Sequence, residues 1–170
     1  MQLFTICVAC HCTSARAIIK SVIGTMITVV QTCKTCGNEW KWESQPYVCG
    51  MPAGNILLSA SILFAGAIPG KTLRVLRLMG VIGIHPNTYF RHQDKYLHKT
   101  IRQVWEKCTT SLINQLRGTE LVLGGDGRSD SMGHCAKYGT YSLLELNANK
   151  IVCINTVQVN RVHYSFKIFR

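Results

Sequence analysis

The chain has 170 residues, enough for one ordinary domain or two to three very small ones sharing limited core. Hydrophobic residues make up 47% of it, which excludes an intrinsically disordered chain. Nineteen Lys and Arg against eight Asp and Glu leave a net charge of +11, so the composition favours a polyanionic partner, nucleic acid or an anionic membrane surface.

The charge is uneven. Residues 51–120 hold nine basic and three acidic side chains, a balance of +6, against +2 for residues 1–50 and +3 for residues 121–170. The middle of the chain is therefore where a phosphate backbone is expected to sit. Nine cysteines is an odd number, and the opening MQLFTICVACHC lacks the basic n-region of a signal peptide. A reducing compartment is expected, where clustered cysteines ligate metal rather than pair as disulfides.

Residues 1–50 read as a small cross-linked unit. Cys7 and Cys10 form one Cys-x-x-Cys pair, and Cys33 and Cys36 form a second after 22 intervening residues. Thiolates two residues apart can face one ion across a tight turn, and two such turns complete a tetrahedral zinc site. Gly37, directly after the second pair, suits the sharp turn. A β-hairpin excursion absorbs the long spacing. His11, Cys12 and Cys49 are alternative ligands, and a set of free thiols is the competing reading. Between the knuckles Ser21–Gln31 reads as strand, and residues 38–46, NEWKWESQP, as a short returning strand ended by Pro46.

Residues 54–107 read as helices. Asn55 or Ser59 is a candidate N-cap for a helix reaching Ala65, broken by Gly66, Pro69 and Gly70. The charge-free run Ser44–Gly70 raises a membrane reading, but its unbroken helix-compatible part, residues 56–68, is short of the roughly 20 residues a span needs. A second helix over Lys71–Met79 places Leu73, Leu76 and Met79 on one face and Arg74 and Arg77 on another. Gly80 stops it. His85-Pro86-Asn87-Thr88 opens a third helix, continuing through Tyr96 and on to Leu116 in one or two pieces. Arg91, Lys95, Lys99 and Arg102 form one stripe of it, and Phe90, Leu97, Ile101, Val104 and Trp105 its buried side. A short helix, a glycine turn and a basic helix suggest a helix-turn-helix arrangement, with Asn87, Thr88 and Tyr89 at base edges and Arg91 and Lys95 at phosphates. A solvated face of an ordinary helical bundle gives the same pattern.

From Leu121 the periodicity changes to strand. LVLGG ends at Asp126, and a Gly/Ser-rich loop over residues 127–140 follows, with Asp130, His134 and Cys135 inside it. YSLLEL and KIVCINTV are two strand-like runs joined by Asn147-Ala148-Asn149, a hairpin signal. A carboxylate at a strand end before glycine, such as Asp126, is a natural Mg²⁺ ligand, and equally a turn former.

The series QTCKTCG, WESQP, MPAGNILLSASILFAGAIPGKTLRVLRLMGV, TYFRHQDKYL and VLGGDGRSDSMGHCAKYGTYSLLEL resembles a group of animal transposase-derived proteins with an N-terminal zinc ribbon and an RNase H-like core of the DDE transposase type. The resemblance covers about Cys7 to Gln158. It implies an α+β chain in three parts: a zinc ribbon over residues 1–50 (Cys7, Cys10, Cys33, Cys36), a helix-turn-helix-like segment over residues 51–118, and the first strands of an RNase H-like sheet over residues 119–170. In that segment Lys71, Arg74, Arg77, Asn87, Thr88, Tyr89, Arg91, Lys95, Lys99 and Arg102 would meet DNA. Asp126 falls on the first catalytic carboxylate.

The departures are Cys135, where the family pattern has a small hydroxyl residue, and the segment VNRVHYSFKIFR, which replaces the expected continuation and its further acidic residues. Two-metal phosphoryl transfer needs several carboxylates around two ions about 4 Å apart. The expectation is therefore a C-terminally truncated, nuclear, DNA-binding chain with structural zinc and no nuclease activity of its own. Mg²⁺ would bind only in a completed site, and no small-molecule substrate is expected. The alternatives are an active DDE-type enzyme, if the sequence is part of a longer chain, and a membrane-associated protein.

Overall fold

In a computed structural model, which describes residues 4–132 and 136–158, the chain is mixed α+β and divides into two compact units, Met1–Thr100 and Ile101–Arg170. The expected ribbon and most of the expected helical segment thus belong to one unit.

The first unit begins with a three-stranded antiparallel sheet in the order β1 (Ala15–Ile23), β2 (Met26–Cys33), β3 (Glu39–Glu43). The run read as one strand over Ser21–Gln31 is in fact split by the tight turn at Gly24-Thr25. Gly24 has φ +60°, a conformation open to glycine, and it fits the first central position of a two-residue hairpin turn. β2 is the central strand and nearly all of it is buried, including Met26, Val29, Val30 and Cys33. Trp40 and Trp42 stand opposite Gln31 and Val29 on β3, and Phe4 packs on both rings at 6.1 and 5.3 Å between centroids.

A two-stranded ladder, β4 (Tyr47–Val48) with β5 (Met51–Pro52), leads into the helices α1 (Ala53–Phe64), α2 (Pro69–Leu78) and α3 (Pro86–His92). Ile62, Leu73, Ile84 and Tyr89 form their shared core, with Leu58, Ala67 and Leu76 packed against it. Asn55 and Ser59 do not cap α1. Pro52 holds the N-cap position without a side-chain bond, and both polar residues are buried inside the helix. Asn55 instead reaches the hairpin turn: its Oδ1 accepts from the Thr25 amide at 2.7 Å and the Thr25 hydroxyl at 2.9 Å, and its Nδ2 donates to the Ile23 carbonyl at 2.9 Å. A Cβ at Gly24 would overlap that carboxamide. The glycine is thus required both by its backbone angle and by the close approach that locks sheet to helix.

The start of α3 follows expectation, with the His85 Nδ1 accepting from the Asn87 amide at 3.2 Å. A π-helical turn, Gln93–Leu97, then links α3 to α4 (His98–Leu116). The buried positions differ from the expected set. Tyr89 is 3% exposed and Phe90 54%, while Ile101, Val104 and Trp105 are also exposed; Leu97 is buried as expected. A π turn carries more residues per turn than an α-helix, so a face counted at α spacing does not continue through it. Met79, expected on the apolar face of α2, is exposed beyond the helix end.

In the second unit β6 (Leu123–Ser129), β7 (Tyr138–Glu145) and β8 (Lys150–Gln158) form an antiparallel meander in that order. The expected hairpin at Asn147-Ala148-Asn149 is present, with Asn149 at φ +51°. β6 runs on to Ser129 and β7 begins at Tyr138, so the two ends of the expected loop, residues 127–129 and 138–140, are strand. Asp130 closes the β6–β7 connection by accepting from the Lys137 and Tyr138 amides at 2.9 and 3.2 Å. Among the described residues no helix is long and apolar enough to cross a membrane, residues 56–68 included. His134, Cys135 and residues 159–170 lie outside the described residues.

Candidate metal centre

The two Cys-x-x-Cys pairs fold into near-identical turns. In the first, the Cys7 amide donates to the Cys12 carbonyl at 2.9 Å and the His11 amide to the Cys7 carbonyl at 3.0 Å. In the second, the Cys33 amide donates to the Asn38 carbonyl at 2.9 Å and the Gly37 amide to the Cys33 carbonyl at 3.0 Å. One turn precedes β1; the other joins β2 to β3, and strand pairing brings them together because Ala15 lies opposite Cys33.

The result is a cluster of Cys7, Cys10, Cys33 and Cys36 whose sulfurs all lie within 4.8 Å of one another. Cys7 Sγ is 3.6 Å from Cys36 Sγ, and Cys10 Sγ is 3.7 Å from Cys33 Sγ. Four sulfurs around one ion with zinc-like bonds of about 2.3 Å would be about 3.8 Å apart, so these two cross-knuckle spacings fit a tetrahedral ion without rearrangement. The donor set is all soft sulfur, which suits zinc and comparable thiophilic ions. Among the described residues no other group of His, Cys, Asp or Glu gathers in this way.

The turn amides also prepare the thiols. Cys7 is lowered to about 7, first by the Cys10 amide and then by that of Ala9. Cys33 is lowered to about 7, first by the Cys36 amide, with Cys12 and Thr35 assisting against burial. For Cys10 the Cys12 amide works downward, but the thiols of Cys12 and Cys36 raise it overall. The turn amides thus favour the thiolate at Cys7 and Cys33, which eases displacement of their protons by a metal.

Support comes from a residue the sequence reading passed over. Gln31, fully buried on β2, donates from Nε2 to the carbonyls of Phe4 and Ile6 at 2.9 and 2.8 Å, and its Oε1 accepts from the Val8 amide at 3.4 Å. It therefore holds the segment that carries Cys7. Its signal in the sequence is faint: a lone glutamine within an apolar strand. Of the alternative ligands, His11 and Cys49 are not in the cluster, and Cys12 contacts it as a fifth thiol.

The basic residues are placed as follows. Lys71, Arg74 and Arg77 are exposed on α2, and Asn87, Arg91, Lys95 and Lys99 are exposed further on in the same unit; Thr88 is half-buried. Tyr89 is a correction: it is packed in the helical core and cannot reach a base edge. Arg102 is exposed but falls in the second unit, so the four-residue stripe is interrupted by the π turn and the unit boundary. Residues 79–85 separate α2 from α3, longer than the three- to four-residue turn of a helix-turn-helix.

Two clefts flank Gly83–His85. One, about 560 Å³, is lined by Arg74 and Arg77 beside Leu73; the other, about 520 Å³, by Arg91 and Lys95 beside Thr88 and Tyr96. Among the described residues no carboxylate lines either.

Asp126 is exposed in the middle of β6, opposite Ser142, rather than at a strand end. Glu145 pairs with Leu123, three residues from Asp126, so the two acids project from opposite faces of the sheet. Glu145 is 1% exposed and accepts from the amides of Ala148 and Val122 at 2.5 and 3.3 Å. Those amides, Ala148 first, hold its carboxyl below the usual range. It is a structural acid that closes the β7–β8 turn.

Fold and site together define an α+β chain with a four-cysteine cluster able to hold a metal ion. Compared with protein-family models, curated proteins and solved structures, the chain matches none.

Proposed function

We propose that this chain is a zinc-stabilised DNA-binding protein of the transposase-derived type, without nuclease chemistry of its own. The observation that carries the reading is the pair of clefts beside Gly83–His85, one lined by Arg74 and Arg77 and the other by Arg91 and Lys95, with no carboxylate among the described lining residues, in the unit that also holds the cysteine cluster. Lys71 and Lys99 are exposed in the same unit. Guanidinium and ammonium groups spaced along one surface neutralise successive phosphates and release counterions, giving salt-sensitive binding of low sequence preference.

Zinc is the ion proposed for the cluster, because four thiolates in tetrahedral array suit it and because a ribbon of this size has little core without a cross-link. The meander β6–β7–β8 is compatible with the opening of an RNase H-like sheet. The opposite orientations of Asp126 and Glu145 support binding without phosphoryl transfer.

The test is a titration of labelled duplex DNA with the full chain at two salt concentrations. Binding is expected at about 50 mM salt and should fall steeply by about 200 mM, with a slope that drops by about one for each of Arg74, Arg77, Arg91 or Lys95 replaced by alanine. Absence of binding at the lower salt refutes the reading.

A further inference from the structure

Cys12 is a fifth thiol at a centre that four complete. Its Sγ lies 3.2 Å from Cys10 Sγ and 3.2 Å from Cys33 Sγ, and 3.0 Å from Ser14 Oγ. Both sulfur contacts are shorter than the 3.6 and 3.7 Å that separate ligands across the knuckles. They are also shorter than the edge of about 3.8 Å that a tetrahedral zinc–thiolate site requires. An ion held by Cys7, Cys10, Cys33 and Cys36 therefore leaves Cys12 outside its coordination, within hydrogen-bonding distance of two ligand sulfurs. Cys12 is half-buried, beside the exposed Cys10.

We propose that Cys12 is a thiol-oxidation site for hydroperoxides, and that its oxidation yields a Cys12–Cys33 disulfide that dismantles the metal centre. The proposal rests on the metal reading above. The Cys12 thiolate attacks one peroxide oxygen, the O–O bond breaks, and Cys12 becomes a sulfenic acid while the leaving oxygen departs as water or an alcohol. The Cys33 sulfur then attacks the Cys12 sulfur. The S–S bond forms, the S–O bond breaks, and hydroxide leaves to take up a proton as water. Two thiols are oxidised and one hydroperoxide is reduced. The ion loses one of its four ligands and is released.

Cys33 is the expected partner rather than Cys10. Cys10 and Cys12 are one residue apart, and the small ring they would close is incompatible with a relaxed disulfide. Cys33 lies across the hairpin, where the pairing of Ala15 with Cys33 keeps the segment after Cys12 against β2.

The experiment treats the zinc-loaded full chain with hydrogen peroxide, follows zinc release with a chromogenic chelator, and maps disulfides by mass spectrometry. Release is expected to be at least about 10-fold slower in Cys12→Ser than in the wild type, with Cys49→Ser behaving as wild type. The mapped disulfide should join Cys12 to Cys33. Equal release rates for wild type and Cys12→Ser, or a map without Cys12, overturn the proposal. If Cys12→Ser fails to fold, the wild-type map decides alone. Zinc content of the untreated reduced chain is measured first: a zinc-free chain refutes the metal reading, and the Cys12–Cys33 map in that chain still decides the oxidation site.

Discussion

His11 and Gly37 occupy the same position in the two knuckles, each four residues after the first cysteine of its pair, and both have left-handed backbones, at φ +55° and +68°. The turn needs that conformation to aim its amide back at the first cysteine's carbonyl. Glycine adopts it freely; histidine does so against the contact between its Cβ and backbone, which costs about 1–2 kcal/mol. The added freedom of glycine in the unfolded chain offsets about 0.4–1 kcal/mol of that.

His11→Gly is therefore expected to stabilise the chain, by a few tenths to about 1 kcal/mol, without loss of metal. Denaturant unfolding of the metal-loaded protein checks it. A destabilised variant, or one with less metal, would show that the His11 side chain has a role beyond the turn.

Gln31 fixes the chain on either side of Cys7 from below. Gln31→Leu keeps the volume and removes all three hydrogen bonds, leaving carbonyls of Phe4 and Ile6 without their donor. Metal affinity should fall by about 10-fold, the size of effect seen when groups that orient ligands are removed. Competition with a chelator of known affinity measures it, and an unchanged constant would mean the strand pairing alone positions Cys7.

His92 predicts a pH dependence. Burial first, and the Arg91 charge second, hold its imidazole below the ordinary value of 6.5, with the Asn55 backbone working weakly the other way. Its Nδ1 is 2.9 Å from Ser59 Oγ, which donates to the Asn55 carbonyl at 3.1 Å, so the folded chain favours the neutral ring with its proton on Nδ1. Below pH 6.5 the unfolded chain takes up a proton that the folded chain resists, so this contribution is whole above that value and is lost as pH falls. Denaturant unfolding of the metal-free, reduced chain at pH 7 and pH 5 should show a larger drop for wild type than for His92→Phe. Equal drops would place the dependence elsewhere.

What the sequence made legible was what short spacing controls. The knuckle cysteines, Gly37, the His85-Pro86 helix start and the Asn147–Asn149 hairpin are all local, and each was readable from residues within a few positions. What it hid depends on partners far away in sequence. Asn55 reads as a cap because caps are local; its partners, Thr25 and Ile23, lie some 30 residues earlier. Tyr89 and Phe90 are adjacent aromatics, and polarity favours burying Phe90; the packing of Ile62, Leu73 and Ile84 takes Tyr89 instead. Gly24 sits in a run rich in Val, Ile and Thr, which by composition reads as one strand, and the turn there is fixed by the pairing of Ile23 with Met26. The continuation of β6 past Asp126 had no local signal, since Gly-Gly-Asp-Gly argues against strand and holds one here only through pairing with β7.

Metal analysis of the purified, reduced full chain tests the four-cysteine cluster as a zinc site most directly. About one zinc per chain is predicted, retained on dialysis at neutral pH and absent from Cys33→Ser or Cys36→Ser. A chain that folds, keeps its thiols reduced and carries no zinc, even after incubation with excess metal, would contradict it.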